Sequence, residues 1–349
     1  MSEPIFIARQ DTLEQEILPA HWLAQYKLFG EESYTFQDKG IWKKLCMSSA
    51  AANDRDIHAE ALEEMLTTFS AEHTGKWMLL VYGTNAAALE GLATMAAIAA
   101  NGTAMGAIAD NALLMHAIAN SETAMQRIAN SQTAMQRVAN NRGAMDAIGR
   151  SRIARDAVQA SPYYNSYIKE NDMAIAKLVV GFANLASANY SSMAGVVADA
   201  TAMTAVAASG VALKAIAQAY KNTANMLQFL KAVNASDTLI KRIYNTLTNA
   251  TALFGASQLG AQDGVADANS WATTSAAPNA FLACACGYYN SGGASVDVTY
   301  NGTAIAQNKT GTRQPGSVTS TNVNAITMAP STFTENGDGW LAVQKFTVK

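Results

Sequence analysis

The chain has 349 residues, enough for two or three domains, and a formal charge of −3 with only 15% charged side chains. That balance gives no electrostatic footing for nucleic acid, whose capture needs a concentrated positive surface. No basic segment followed by an apolar core begins the chain, so no signal peptide is expected. The Ala-rich run 86–100, interrupted by Glu90, is too weakly apolar to span a membrane.

Residues 1–85 read as an N-terminal attachment domain. Acidic side chains outnumber basic ones over residues 1–80, 13 to 7, and large aromatics gather there, with Trp22, Tyr26 and Trp42 as the candidate attachment interface. Residues 53–70 read as an amphipathic helix carrying Ile57, Leu62, Met65, Leu66 and Phe69 on one face. The apolar run KWMLLVYG (76–83) fits a strand or a buried helix end equally well.

From residue 91 the sequence repeats every ten residues: GLATMAAIAA, NGTAMGAIAD, NALLMHAIAN, SETAMQRIAN, SQTAMQRVAN, NRGAMDAIGR, SRIARDAVQA. One column is Met95, Met105, Met115, Met125, Met135 and Met145, broken at Arg155; a second is Ile or Val from Ile98 to Val158. The first position is Asn or Ser from Asn101 to Ser151. Such fixed-period self-similarity signals a repeat architecture. Within one unit Ala124, Met125, Ile128 and Ala129 fall on one side of a helix, and Ser121 stands at its N-cap. At roughly 3.6 residues per turn, a ten-residue period rotates the apolar stripe by about 80° per unit, which no continuous helix tolerates. Short helices of about two turns, broken at each Asn or Ser and stacked on neighbours, are therefore expected over 86–256, with a break near 161–170 at SPYYNSY. The small residues of this core promise little burial in a single thin rod, which argues for several associated copies.

Polar, Gly- and Ala-rich residues 257–276 read as a linker, and residues 277–349 as a small antiparallel β head. ASVDVTY and TAIAQ flank Asn301-Gly302, a strong hairpin turn; AFLACACGYY, TNVNAITM and WLAVQKFTVK read as further strands, with ENGDG as a turn. The fold class is thus mainly α with a C-terminal β domain.

The chemistry is sparse. His21, His58, His73 and His116 are scattered without metal-ligand spacing, and the pair Cys284 and Cys286 lacks further ligands, so no metal or cofactor is expected. Arg127 and Arg137 share one repeat column and are candidates for a ladder on one face. Beyond residue 270 the acids are Asp297, Glu335 and Asp338, a thin basis for hydrolysis, and the chain reads as a non-enzyme.

The units SETAMQRIAN, SQTAMQRVAN and DATAMTAVAA resemble the Ser-x-Thr-Ala-Met repeats of tail-fibre and related appendage proteins of tailed bacteriophages, over roughly residues 91–255. The resemblance implies a virion structural protein, assembled in the host cytoplasm, usually as a homotrimer. It would be joined to tail, baseplate or collar proteins by its N-terminus, with the β head towards the host. Tyr288, Tyr289 and Trp271 are the candidate contacts for a host surface glycan or protein; Trp340 and Tyr300 suit the core at least as well. The alternative is a non-viral α-solenoid protein-binding module.

Overall fold

The computed structural model describes residues 55–68, 74–82, 86–219, 223–263, 270–273, 279–288, 293–311, 317–328, 331–337 and 339–349. The attachment candidates Trp22, Tyr26 and Trp42, and the receptor candidate Tyr289, lie outside the described residues. The chain divides into two compact units, Met1–Tyr167 and Ile168–Lys349. It is mainly α with a C-terminal antiparallel β region.

The described part of the first unit begins with α1 (Arg55–Thr68), α2 (Thr74–Tyr82) and α3 (Ala86–Leu89), so KWMLLVY (76–82) is helical. The repeat then gives one short helix per decad: α4 (Met95–Ala100), α5 (Gly102–Asp110), α6 (Ala112–Ala119), α7 (Glu122–Ala129), α8 (Gln132–Ala139), α9 (Arg142–Arg150) and α10 (Arg152–Ala160), followed by α11 (Tyr164–Tyr167). Each break is made by the Asn or Ser column. Ser131, for example, is extended at φ −110° and ψ 121°, and its hydroxyl accepts the Ala134 N–H at 3.3 Å. One extended residue ends one helix and a side-chain acceptor starts the next.

The helices do not simply follow one another along a line. Each packs on the helix three units away: α5 with α8, α6 with α9, and α7 with both α4 and α10. Three decads therefore make one turn of a closed array, and the same residues that cap the helices tie successive turns together. Ser131 Oγ donates to Ala99 O, Ser151 Oγ to Ala119 O and Ser161 Oγ to Ala129 O, each spanning 32 residues at 2.5–2.6 Å. Asn141 Nδ2 donates to Asp110 Oδ1 at 2.7 Å over a similar span. At the first turn a side chain takes the carbonyl's place: Glu63 of α1 accepts from Ser121 Oγ, Thr123 Oγ1 and Thr123 N.

Closure changes the burial argument. Met105, Met115, Met125, Met135 and Met145 are completely buried within one chain, as are Ile108, Ile118, Ile128, Val138 and Ile148. Each contributes about 1.5–3 kcal/mol relative to exposure, which supplies what an isolated two-turn helix lacks. One chain therefore covers these side chains by itself. The expected ladder of Arg127 and Arg137 is corrected. Successive units turn onto successive faces, and only residues about thirty positions apart are stacked.

The second unit repeats the scheme less regularly, with helices of 6 to 13 residues. Here α12 (Asp172–Phe182), a 3-10 turn at Ser187–Asn189, α13 (Met193–Ala198), α14 (Ala200–Ala207), α15 (Gly210–Gln218), α16 (Thr223–Asn234) and α17 (Asp237–Asn249) pair as α12 with α15, α13 with α16 and α14 with α17. The corner between α14 and α15 bends by 96°. No single helix among the described residues is long and apolar enough to cross a membrane.

Strands follow without a linker. β1 (Phe254–Asp263) and β2 (Ser270–Thr273) occupy much of 257–276, which corrects the linker expectation. β1 forms because β8 (Trp340–Val348) pairs along its whole length, from Phe254 with Val348 to Asp263 with Trp340. β3 (Ala280–Gly287), β4 (Ala294–Tyr300), β5 (Thr303–Thr310), β6 (Ala325–Met328) and β7 (Ser331–Gly337) complete two four-stranded antiparallel sheets, ordered β1-β8-β3-β6 and β2-β7-β4-β5. The β4–β5 hairpin turns at Asn301 and Gly302, both at positive φ (49° and 75°), as the Asn-Gly pair predicts. ENGDG is not all turn, since Glu335, Asn336 and Gly337 belong to β7.

β4 alternates buried and half-buried residues, whereas every residue of β3 is buried. The difference follows from layering: the first sheet has the second on one face and helices on the other, with α16 and α17 on β6, α17 on β1 and α15 on β8. The Tyr244 hydroxyl of α17 lies 2.9 Å from Val318 O, and its ring meets Phe346 edge-on at 5.8 Å. The strands therefore share a core with the last helices of the array rather than forming a detached head.

Candidate functional site

Because Ala, Met and Ile fill the inner columns, chemistry on the array is left largely to the sixth position of each decad and, where it faces outward, the seventh. These positions vary. In α5 they are Gly106 and Ala107; three units on, in α8, they are Gln136 and Arg137. A turn with almost no side chains thus lies beside one with long side chains, and a groove opens between them. It has a volume of about 600 Å3 and includes Gly102, Gly106, Asp110 and Arg137. Arg137 lies against the bare backbone of Gly102, where a Cβ would stand in van der Waals contact with Nη2 at 3.4 Å.

The second unit builds a similar groove of about 650 Å3 between the α14–α15 corner and α17. Its floor is Ala208, Gly210 and Ala250; its wall includes Lys241, Arg242, Asn245 and Asn249. Lys241 and Arg242 are the sixth and seventh residues of the degraded decad SDTLIKRIYN, and three units upstream those columns hold Thr204 and Ala205. Close approach at the floor needs glycine, since a Cβ on Gly210 would stand 3.0 Å from Ala250 Cβ. Thr246 Oγ1 donates to Ala207 O at 2.8 Å and fixes the two walls. No Asp or Glu lines this groove, whereas Asp110 lines the first. Comparing outward columns across three units would have found the first groove; comparing adjacent units does not.

Trp271 lies on β2 opposite Phe333, in the second sheet, while Tyr288 follows β3 of the first and is half-buried. Trp340 and Tyr300 are core residues, at 0% and 1% exposure. Burial pushes the Tyr300 hydroxyl up to about 12.

Of the candidate acids in the β region, Asp297 is committed to structure: Oδ1 accepts the Asn308 N–H at 2.6 Å and Oδ2 accepts from Asn336 Nδ2 at 3.0 Å. Glu335 is buried, and Asp338 lies outside the described residues. Cys284 and Cys286 are both buried free thiols. Burial first, and the Glu335 charge second, push the Cys286 thiol up to about 12, far from the thiolate a nucleophile or metal ligand requires. Among the described residues no three His, Cys, Asp or Glu side chains form a group able to hold a metal ion.

Arg155, which interrupts the Met column, sits in that column's buried position, and its Nη1 donates to Gly149 O at 2.7 Å. It closes the last decad of the first unit with a hydrogen-bonded cation where the others carry a thioether.

The chain matches no protein-family model and no curated protein. Its functional reading rests on the repeat, the grooves and the β region.

Proposed function

We propose that the chain is a structural subunit of a bacteriophage tail or collar appendage. In this reading residues 1–85 attach it to other virion proteins, the decad array is a spacer, and the C-terminal β region contacts the host surface or locks neighbouring chains. The observation that carries it is the lateral tie of the repeat. Ser131, Asn141, Ser151 and Ser161 each donate to the turn before, and the first three also cap the helix that follows, so the array lengthens by adding units without any new design. That is what a spacer needs and what a catalytic scaffold does not. The Ser-x-Thr-Ala-Met pattern supports the same reading, and it assigns no catalytic residue, metal or cofactor. Copies associate as a homotrimer through the ends of the chain, because the array's own core is already full.

Immunogold labelling of purified phage particles with antibodies to the chain tests the proposal. Label confined to a tail or collar appendage is expected; particles without label overturn it.

The closed single-chain core also favours a second reading, a non-viral α-solenoid that binds a partner protein. Solution mass separates the two. A particle of about three times the 36.8 kDa chain supports the appendage, and a monomer supports the binding module.

A further inference from the structure

The groove beside α17 has a feature that the array as a spacer does not explain. Thr238, Lys241, Arg242, Asn245 and Asn249 all open onto it, a row running along one exposed face of the helix. Neither Lys241 nor Arg242 makes a hydrogen bond or ion pair with any described residue. The single acid of α17, Asp237, is instead bonded to Lys309 of β5 at 3.1 Å. Two cations thus face a concave space from which acids are absent, in a chain whose net charge is negative.

We infer that this groove binds an acidic glycan, a hydroxyl-rich polymer carrying carboxylate or phosphate groups. Arg242 offers the planar fork that pairs two N–H donors with one oxyanion, and Lys241 offers a point charge beside it. Asn245, Asn249 and Thr238 supply donors and acceptors at the helical spacing on either side, suited to sugar hydroxyls between the charges. The volume of about 650 Å3 lies within the range of small-ligand sites. A nucleic acid fits less well, because no aromatic residue lines the groove to stack a base. The walls are held before any ligand arrives, by the Thr246 to Ala207 hydrogen bond and the Gly210 to Ala250 contact, so binding orders only the exposed side chains. The site is independent of Tyr288 and Trp271, and it does not require the appendage reading.

Calorimetric titration of the full chain with oligogalacturonate, phosphorylated dextran, neutral dextran and oligothymidylate tests the inference. Binding of oligogalacturonate, phosphorylated dextran or both is expected, weakening as salt rises; which one binds identifies the anion. The double variant Lys241→Ala/Arg242→Ala should lower that affinity tenfold or more. Asn245→Asp, which keeps the shape and adds a negative charge, should lower it as well, while the exposed Arg127→Ala in the other unit leaves it unchanged. Circular dichroism checks that each variant retains its helix content. The inference is overturned if neither acidic polymer binds, if neutral dextran or oligothymidylate binds equally well, or if the groove variants bind like the parent chain.

Discussion

Asn234, near the end of α16, pairs its side-chain amide with the backbone of Ile326 in both directions. Nδ2 donates to Ile326 O at 2.7 Å, and Oδ1 accepts from Ile326 N at 3.1 Å. β6 is the edge strand of the first sheet, and this amide supplies the pairing that another strand would give. An open edge invites association with other chains; here a helix side chain occupies one of its backbone pairs. Asn234→Ala leaves that buried N–H and C=O without partners and should cost about 1–3 kcal/mol in denaturant unfolding. Unchanged stability would show that the contact is incidental.

The corner residues of the array have two duties, and removing both should be measurable at one site. Ser131→Ala loses the cap on Ala134 and the tie to Ala99, for an expected loss of about 1–3 kcal/mol. Ser131→Asn, which installs the column's other residue, should cost less than the alanine change. Equal losses for the two variants would refute the double role.

Arg155 occupies a position that the repeat otherwise fills with Met. Arg155→Met completes the column and should be neutral or stabilising, since an apolar group of similar size replaces a buried cation. Arg155→Ala should instead destabilise by roughly 2 kcal/mol, through lost packing and an unfilled space. Thermal unfolding of both variants decides, and a marked loss in the Met variant would show that the hydrogen bond to Gly149 dominates.

The N-cap of α14 predicts an acid dependence. Hydrogen bonds from the Ala202 N–H, and then from the Tyr190 hydroxyl, hold the Asp199 carboxyl below its usual range. Its folded value is depressed, so its contribution is present above the ordinary carboxylate range near pH ~4 and is lost as pH falls through the folded value. Asp199→Asn should lose part of the midpoint drop between neutral and acid pH. If the drop is identical in both proteins, the carboxylate is not held as described.

The two cysteines of β3 should be silent to thiol reagents in the native state. In a Cys46→Ser background, Ellman's reagent at mildly alkaline pH should react only after denaturation, because both thiols are buried and Cys286 is pushed up to about 12. The sign for stability follows: a raised thiol contributes fully below its ordinary value near ~8.5, and the contribution is lost as pH rises towards the folded value. Rapid native reaction would place these side chains at the surface.

Much of the local structure was legible in the sequence. Ser121 as a cap, the buried quartet Ala124, Met125, Ile128 and Ala129, and the Asn301-Gly302 hairpin all depend on neighbours within a few residues. What was not legible depends on partners far along the chain. The decad states where a helix stops but not which helix it meets, so the pairing of Ser131 with Ala99 was hidden, and single-chain closure with it. β1 reads as linker because ASQLGAQD has no alternating β-branched residues; it is a strand because β8 pairs with it. Lys241 and Arg242 went unremarked because the small residues Ala208 and Gly210 that open their groove lie about thirty residues earlier.

Three decads per turn also impose a phase on the array. Removing one decad between Asn101 and Ala160 would do more than shorten the chain: it would carry every later residue of the first unit a third of a turn around its axis. Arg137 would then leave Gly102 for another face, and each corner serine would meet a different strip of carbonyls. Removing three decads restores the phase and costs only length. A lineage of such chains can therefore vary freely in units of thirty residues while keeping every face aligned, and in units of ten only by exchanging one face for another.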